Sequence, residues 1–172
     1  LDQIADADAV VVPIGGGGLI SGIAFAIKSL NPKIKVYGVQ AAGAPSMKNS
    51  VDHKKIERLP GVSTIADGIA VKEPGQNTFN FCSKYVDGIV TVTDDEVSSA
   101  ILSMLEQQKL ITEGAGAVAV AAAMFDKVPI EGKNVVCLVS GGNIDVTILD
   151  RVIKRGLLTA GRSCALTIEL ID

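Results

Sequence analysis

The chain has no tryptophan, only two tyrosines and four phenylalanines among 172 residues, and a formal net charge of -3. A nucleic-acid surface needs clustered basic residues and stacking aromatics, so this composition argues against one. No apolar run is long enough to cross a bilayer, and no basic-plus-apolar leader pattern stands at the start; no membrane partner is expected. Cysteine is sparse and odd in number: Cys82, Cys137 and Cys164 show neither CxxC nor metal-ligand spacing. They read as reduced thiols, which sets the expectation of a cytoplasmic protein. The single histidine, His53, sits among Asp52, Lys54 and Lys55 and reads as a solvated loop residue, not a ligand.

What is present is apolar and glycine-rich: 48% hydrophobic residues, 20% charged and 18 glycines, suited to one α/β core of Val, Ile, Leu and Ala. The most informative stretch is Val10-Val11-Val12-Pro13-Ile14-Gly15-Gly16-Gly17-Gly18-Leu19-Ile20-Ser21-Gly22. A β-branched run, four glycines and then apolar residues at helical spacing predict strand, tight turn and helix start. Ordering four glycines is costly, because glycine loses more backbone freedom on folding than any other residue. The cost is explained if bare N–H groups at a helix N-terminus receive an anion, typically phosphate. The alternative is a tight turn that only packs a helix onto a sheet.

The loop does not fit the common nucleotide patterns. Counted from Gly16 and Gly18, the third position of a dinucleotide fingerprint is Ser21, and the strand Ile34 to Gln40 ends in an amide instead of an acid. No G-x-x-x-x-G-K-S/T motif is present. The glycine run by itself therefore indicates a phosphate-bearing ligand and no more.

In chain order, residues 2–8 predict a helix end and a polar link, followed by a strand at 9–14 and a helix carrying Leu19, Ile20, Ile23, Ala24 and Ile27. That helix ends before Asn31-Pro32. A strand over 34–40 precedes an irregular region at 41–74, with a short helix near 44–51 and a loop or very short strand at Thr64-Ile65-Ala66-Asp67-Gly68. A helix near 77–84 leads to a strand at 88–92. Thr93 and Glu96 have the spacing of a capping box for a helix running through Leu105. An alanine-rich helix opens at Thr112-Glu113-Gly114-Ala115-Gly116-Ala117 and reaches Phe125. An apolar strand at 134–139 ends in Ser140-Gly141-Gly142-Asn143, and a helix from about Asp145 to Arg155 follows. Strands alternating with helices predict parallel βαβ units with right-handed crossovers. Both glycine-rich strand ends then fall on one rim, where open α/β sheets bind ligands.

The motifs Pro13 to Gly22, Ala66-Asp67-Gly68, Thr112 to Gly116 and Ser140 to Asn143, in that order, resemble the second half of the pyridoxal-phosphate enzymes of the tryptophan synthase β type, fold type II. Within that family the chain is most similar to the threonine dehydratase (threonine ammonia-lyase) group, with serine racemases and serine dehydratases as near relatives. The resemblance implies a three-layer α/β sandwich with a mainly parallel sheet, the C-terminal part of a large domain. It implies pyridoxal 5'-phosphate as cofactor, its phosphate held by Gly15, Gly16, Gly17, Gly18 and the Leu19 amide. Ser140 would hydrogen-bond the pyridine nitrogen, Gly68 would line the ring, and Glu113 would stand close to it. The implied reaction is β-elimination from L-threonine or L-serine to a 2-oxo acid and ammonia, within amino-acid metabolism such as isoleucine biosynthesis.

The sequence departs from the family in two respects. The Schiff-base lysine of the S-F-K-x-R-G-A motif and the S-x-G-N-H-A-Q-G loop are absent, so no catalytic residue is assigned, and Lys28, Lys33 and Lys35 read as surface residues. A divalent-cation site of serine racemase-like relatives would map near Gln40, Ala44 and Ser46, where two acidic ligands are missing. The chain thus reads as a fragment: a cofactor-binding unit at 1–155, a linker at 156–162, and at 163–172 the first strand of an ACT-like regulatory domain able to take an allosteric effector. A homo-oligomer, dimer or tetramer, is expected from the same resemblance. The reading from another class is a phosphate-ligand-binding regulatory module without catalysis.

Overall fold

The computed structural model describes residues 3–164, 166 and 168. Four parallel strands, β1 (Ala9–Pro13), β2 (Lys35–Ala41), β3 (Gly88–Val92) and β4 (Val135–Cys137), form one sheet in the order β3-β2-β1-β4. Val10 pairs with Val36 on one side of β1 and with Val136 on the other. The β-branched side chains alternate between two cores, as the period of a strand requires. Val10, Val12 and Val36 face helices α1 (Gly18–Leu30), α2 (Ser46–Asp52) and α3 (Gln76–Tyr85) through Ile20, Ala24, Ile27, Met47 and Cys82. Val11, Val39 and Val92 face α4 (Asp94–Ser103), α5 (Gly114–Met124) and α6 (Val146–Thr159). The expected three layers and parallel sheet are therefore observed.

Close approach shapes the layer around α1. A Cβ on Gly38 of β2 would lie 3.0 Å from Ile20 Cδ1 and closer still to Ile14, so the strand has room there for no side chain. Lys28 is not the surface residue expected from sequence. Its side chain is 15% exposed, and its ammonium pairs with Asp87 at 2.6 Å and donates to Ile34 O at 2.7 Å. Asp87 also accepts from the Val36 amide at 2.8 Å and from Lys35 Nζ at 3.0 Å. Burial works against its charge, but the bonds from Lys28, Val36 and Lys35 prevail and hold its carboxyl below the usual carboxylate range.

Four local expectations need correction. Residues 3–8 contain no helix; Asp8 Oδ2 accepts from the Asn134 amide at 2.9 Å and Asp6 Oδ2 from its side chain at 2.9 Å. These acids tie the link to the start of β4 and divert it from helix. The helix expected to run through Leu105 changes to a π-turn over Met104–Gln108 and ends where Lys109 takes φ 57°. β4 is shorter than 134–139; among the described residues it is an edge strand paired with β1, and beyond it Leu138 N still donates to Val11 O at 2.9 Å. The last helix passes Arg155 and reaches Thr159, so the first residues of the expected linker are helical. Gly156 is buried against Ser98 O at 3.0 Å and Leu102 Cβ at 3.2 Å from its would-be Cβ, a fit open to glycine. The strand expected at 163–172 falls largely outside the described residues; Leu166 and Ile168 are exposed.

The capping box is present: Thr93 N donates to Glu96 Oε2 at 2.8 Å and Glu96 N to Thr93 Oγ1 at 3.3 Å. Among the described residues no helix is long and apolar enough to cross a membrane.

Candidate functional site

Both glycine-rich strand ends open into one cavity of about 370 Å³ at the carboxyl edge of the sheet, lined by Gly15 to Gly18, Leu19, Gly68, Glu113, Ser140 and Gly141. All eight residues expected from sequence are thus brought together, from segments spread over more than 120 positions. Pro13, Ile69 and Ala115 complete the lining.

The four glycines have different reasons to be glycine. Gly17 has φ 91°, a left-handed conformation, and its would-be Cβ lies 2.5 Å from Met47 Cε. Gly15 is pressed by Ile69, whose Cα would lie 3.1 Å from an added Cβ. A Cβ added at Gly16 or Gly18 would meet no protein atom within 4 Å, so packing does not demand glycine at either position. Among the described residues the amides of Gly15 to Ile20 have no protein acceptor; the first bonded amide of the turn is Ser21 N, to Gly17 O at 3.0 Å. A row of unpaired donors at the N-terminus of α1, facing open space, is what an anion requires. A phosphate group fits this cradle.

Thr78 of α3 holds the loop in place by donating from Oγ1 to Gly16 O at 2.6 Å. Sequence reading missed it, because a contact 62 residues away leaves no local signal.

The opposite wall is built by α5 and the end of β4. Gly116 lets α5 approach: its would-be Cβ falls 2.5 Å from Ser140 O and 2.9 Å from Gly141 O. Buried Thr112 donates from Oγ1 to Gly141 O at 2.8 Å and fixes the strand end. Gly141, at φ 93°, makes room for the Glu113 side chain, which lies 2.8 Å (Cδ) from its would-be Cβ; Glu113 Oε1 is 3.5 Å from that of Gly68. Glu113 is the one ionisable side chain lining this cavity. No lysine lines it.

Ser140 Oγ has no hydrogen-bond partner among the described residues, and neither Ser140 nor Asn143 caps the following helix. Asp145 does, accepting from Thr147 N at 2.7 Å. The Ser140 hydroxyl is thereby left to the cavity. Its neighbour Cys137 is half-buried, and burial pushes its thiol up, which makes it a poor nucleophile near neutral pH.

A second, larger cavity of about 510 Å³ lies beside the first, lined among others by Asp67, Asp145, Arg151 and Arg155 and sharing Glu113. Arg155 is committed to Asp95 at 2.6 Å, and the glycine loop Gly15 to Gly18 lines the smaller cavity and not this one. The chemistry favours the smaller cavity.

Gln40, Ala44 and Ser46 are buried and carry no carboxylate. Gln40 spends its carbonyl oxygen on the Lys48 amide at 2.8 Å, leaving its Nε2 donor and Ser46 Oγ without protein partners. An N–H donor turned inward does not suit a divalent cation. No cluster of three metal-ligating side chains exists among the described residues.

Comparison with known proteins matches this geometry. The family described as "Pyridoxal-phosphate dependent enzyme" matches residues 1–141. An L-threonine ammonia-lyase of Thermotoga maritima is 49% identical over all 172 residues, which span 43% of its length. The processed form of threonine deaminase isoform 2 from Solanum lycopersicum superposes with a TM-score of 0.84 at 39% identity, over 90% of this chain and 46% of that one. Maize serine racemase superposes with a TM-score of 0.81 at 34% identity, over 90% of this chain and 50% of the other. The chain thus spans less than half of the curated relative it matches.

Proposed function

The chain belongs to the pyridoxal-phosphate dependent enzymes, and from that premise we propose that it forms the cofactor-holding half of a threonine ammonia-lyase. The complete enzyme would release 2-oxobutanoate and ammonia from L-threonine, and pyruvate and ammonia from L-serine. The supporting observation is the pairing, in one cavity, of unbonded loop amides with an uncommitted serine hydroxyl at the neighbouring strand end.

In this reading the amides of Gly15 to Gly18 and Leu19 bind the cofactor phosphate, with the dipole of α1 behind them. Ser140 Oγ would hydrogen-bond the pyridine nitrogen, Gly68 would line the ring, and Glu113 would stand close to it. When bound, pyridoxal phosphate supplies the electron sink for breaking bonds at the substrate's α-carbon. A neutral serine holds the ring nitrogen less strongly protonated than a carboxylate would. That choice favours direct elimination over long-lived charge on the ring. The loop, pinned by Thr78 and Met47, fixes where the cofactor sits before substrate arrives.

We assign the residues up to the end of α6 to this cofactor unit and those from 163 onward to an ACT-like effector domain. A homo-oligomeric, cytoplasmic enzyme of amino-acid metabolism completes the proposal, with isoleucine biosynthesis as its place. Serine racemization is the second reading, motivated by the likeness to maize serine racemase.

The test is product analysis on the full-length gene product with pyridoxal phosphate. Formation of 2-oxobutanoate from L-threonine faster than pyruvate from L-serine is expected. D-serine from L-serine as the dominant product selects the second reading, and cofactor retention without turnover of either amino acid rejects both.

A further inference from the structure

Among the described residues the buried polar side chains are serines, one threonine and Gln40, which is 0% exposed. Gln40 belongs to β2, whose backbone is held on both sides there: Val39 faces Pro13 of β1 and Gln40 faces Thr91 of β3. Alternation along the strand turns its side chain to the layer of α1, α2 and α3, as it does for Val36. In that layer Gln40 Oε1 accepts from the Lys48 amide at 2.8 Å, across eight positions of sequence. The side-chain amide cannot be reversed, because a backbone N–H takes only the oxygen. The Lys48 amide is one of the donors left over in the first turn of α2, whose N-cap residue, Pro45, gives no side-chain bond. A helix of seven residues does not hold by itself. Gln40 ties its start to the sheet.

The arrangement is costly in another respect. Gln40 Nε2 and Ser46 Oγ are both enclosed without a protein partner, and such atoms are rare because each has given up its bonds to water. A methionine would fill the space of Gln40 without that loss, and the half-buried Lys48 can turn its amide to solvent. Stability alone therefore does not select glutamine. What Gln40 determines is where α2 stands. The residue before Lys48 is Met47, fully buried, with Cε 2.5 Å from the place of a Cβ on Gly17. Gly17, at φ 91°, is the left-handed pivot of the glycine loop, and Thr78 bonds its neighbour Gly16 O.

We propose that Gln40 is a positioning residue for the cofactor: it fixes α2 so that Met47 supports Gly17 and the loop amides keep their aim. This role rests on the phosphate-cradle reading above and deepens it. The line of support runs from the sheet through Gln40 Oε1 to Lys48 N, back one residue to Met47, and from its Cε to Gly17. It needs no metal ion. A divalent cation calls for anionic oxygens, whereas Gln40 has already given its one side-chain oxygen to Lys48.

The test uses the full-length protein and two variants of similar volume, Gln40→Met, which removes the acceptor, and Met47→Leu, which withdraws Cε. Each should raise the dissociation constant of pyridoxal phosphate about tenfold, while pyridoxal, which lacks the phosphate, binds as before. Without cofactor, Gln40→Met should unfold near the temperature of the unaltered protein, because losing the cap and losing the enclosed N–H groups offset each other. The double variant should bind no more than about twofold more weakly than either single one, since both break the same line of support. In the loaded variants the phosphorus NMR signal of the bound phosphate should move, which general destabilisation of the fold does not cause. Unchanged affinity and an unmoved phosphorus signal in Gln40→Met overturn the assignment. So does a double variant weakened by the product of the single effects. Cofactor affinity that is lost on chelation and restored by magnesium gives the support to a cation and overturns it as well. An unaltered protein that takes up no pyridoxal phosphate refutes the cradle reading itself.

Discussion

Replacing the glycines of the loop one at a time should separate two effects that the sequence presents as one motif. Gly18→Ala places a methyl where no protein atom lies within 4 Å, at the first residue of α1. Alanine spares backbone entropy in a helix, so the cofactor-free protein should be stabilised, by up to about 0.5 kcal/mol. The same methyl enters the space of the proposed phosphate and should weaken cofactor binding at least tenfold, about 1.4 kcal/mol. Gly17→Ala acts in the other direction. Its φ of 91° costs an L-residue roughly 1–2 kcal/mol, and Met47 Cε, 2.5 Å from the new Cβ, must also move. Methionine yields readily, so the total loss should be on the order of 2 kcal/mol, with weaker cofactor binding following from the displaced loop. The assay is thermal unfolding without cofactor, paired with a cofactor titration followed by absorbance, for the full-length protein and both variants. The reasoning is refuted if Gly18→Ala destabilises the cofactor-free protein, or if it binds cofactor as tightly as the unaltered protein.

Thr78→Val should loosen the loop by removing the 2.6 Å bond to Gly16 O. About 1 kcal/mol of cofactor affinity should be lost, and Thr78→Ser should restore it in the same titration. Ser140→Ala removes one hydrogen bond, about 0.5–1.5 kcal/mol; turnover of L-threonine should fall while phosphate-driven retention of cofactor persists. Unchanged turnover would remove Ser140 from the cofactor site. Asp87 has a lowered carboxyl pKa in the folded state, so its contribution is present above the unfolded value near 4 and is lost as pH falls through the folded value. Asp87→Asn should therefore cost about 1–2 kcal/mol at pH 7, a partly buried pair lying between the surface and interior limits. In urea titrations the difference from the unaltered protein should shrink as pH falls below 4, and a difference that stays constant or grows with falling pH would contradict the assignment.

Strands β1, β2 and β3 were legible because β-branched runs bounded by glycine, proline or acids are local signals, and the core faces follow from alternation. The cradle was legible for the same reason: its glycines are consecutive, and parallel topology brings Ser140 to the same rim. What escaped depends on distant partners. Nothing near residues 3–8 announces that Asp6 and Asp8 will bind Asn134. Lys28 looks like a solvent lysine until Asp87 appears beneath it from the turn before β3. Gly156 marks a helix end by propensity, yet it sits inside α6 because Leu102 and Ser98 O leave no space for a larger side chain. Propensity weighs about 1 kcal/mol at such a position, and a steric fit in the core outweighs it.

The cradle belongs to the fold before it belongs to any ligand. Gly15 rests on Ile69, Gly17 on Met47 and Thr78, and the facing wall is fixed by Thr112 and Gly116 against the backbone of 140–141. Each prop comes from a different segment, so the loop amides keep their orientation at no cost when an anion arrives. That rigidity suits binding and says little about proton transfer, which needs an ionisable group at the reacting atoms. Of the residues lining the cavity Glu113 alone qualifies, and its side chain takes the space that a Cβ on Gly141 would need. A β-elimination both removes a proton from carbon and gives one to the departing hydroxyl. One carboxylate at the ring edge does not cover both tasks in their different places. The proposed reaction therefore requires a second proton-carrying group from outside these cradle residues, which is where the missing lysine motif of the family would enter.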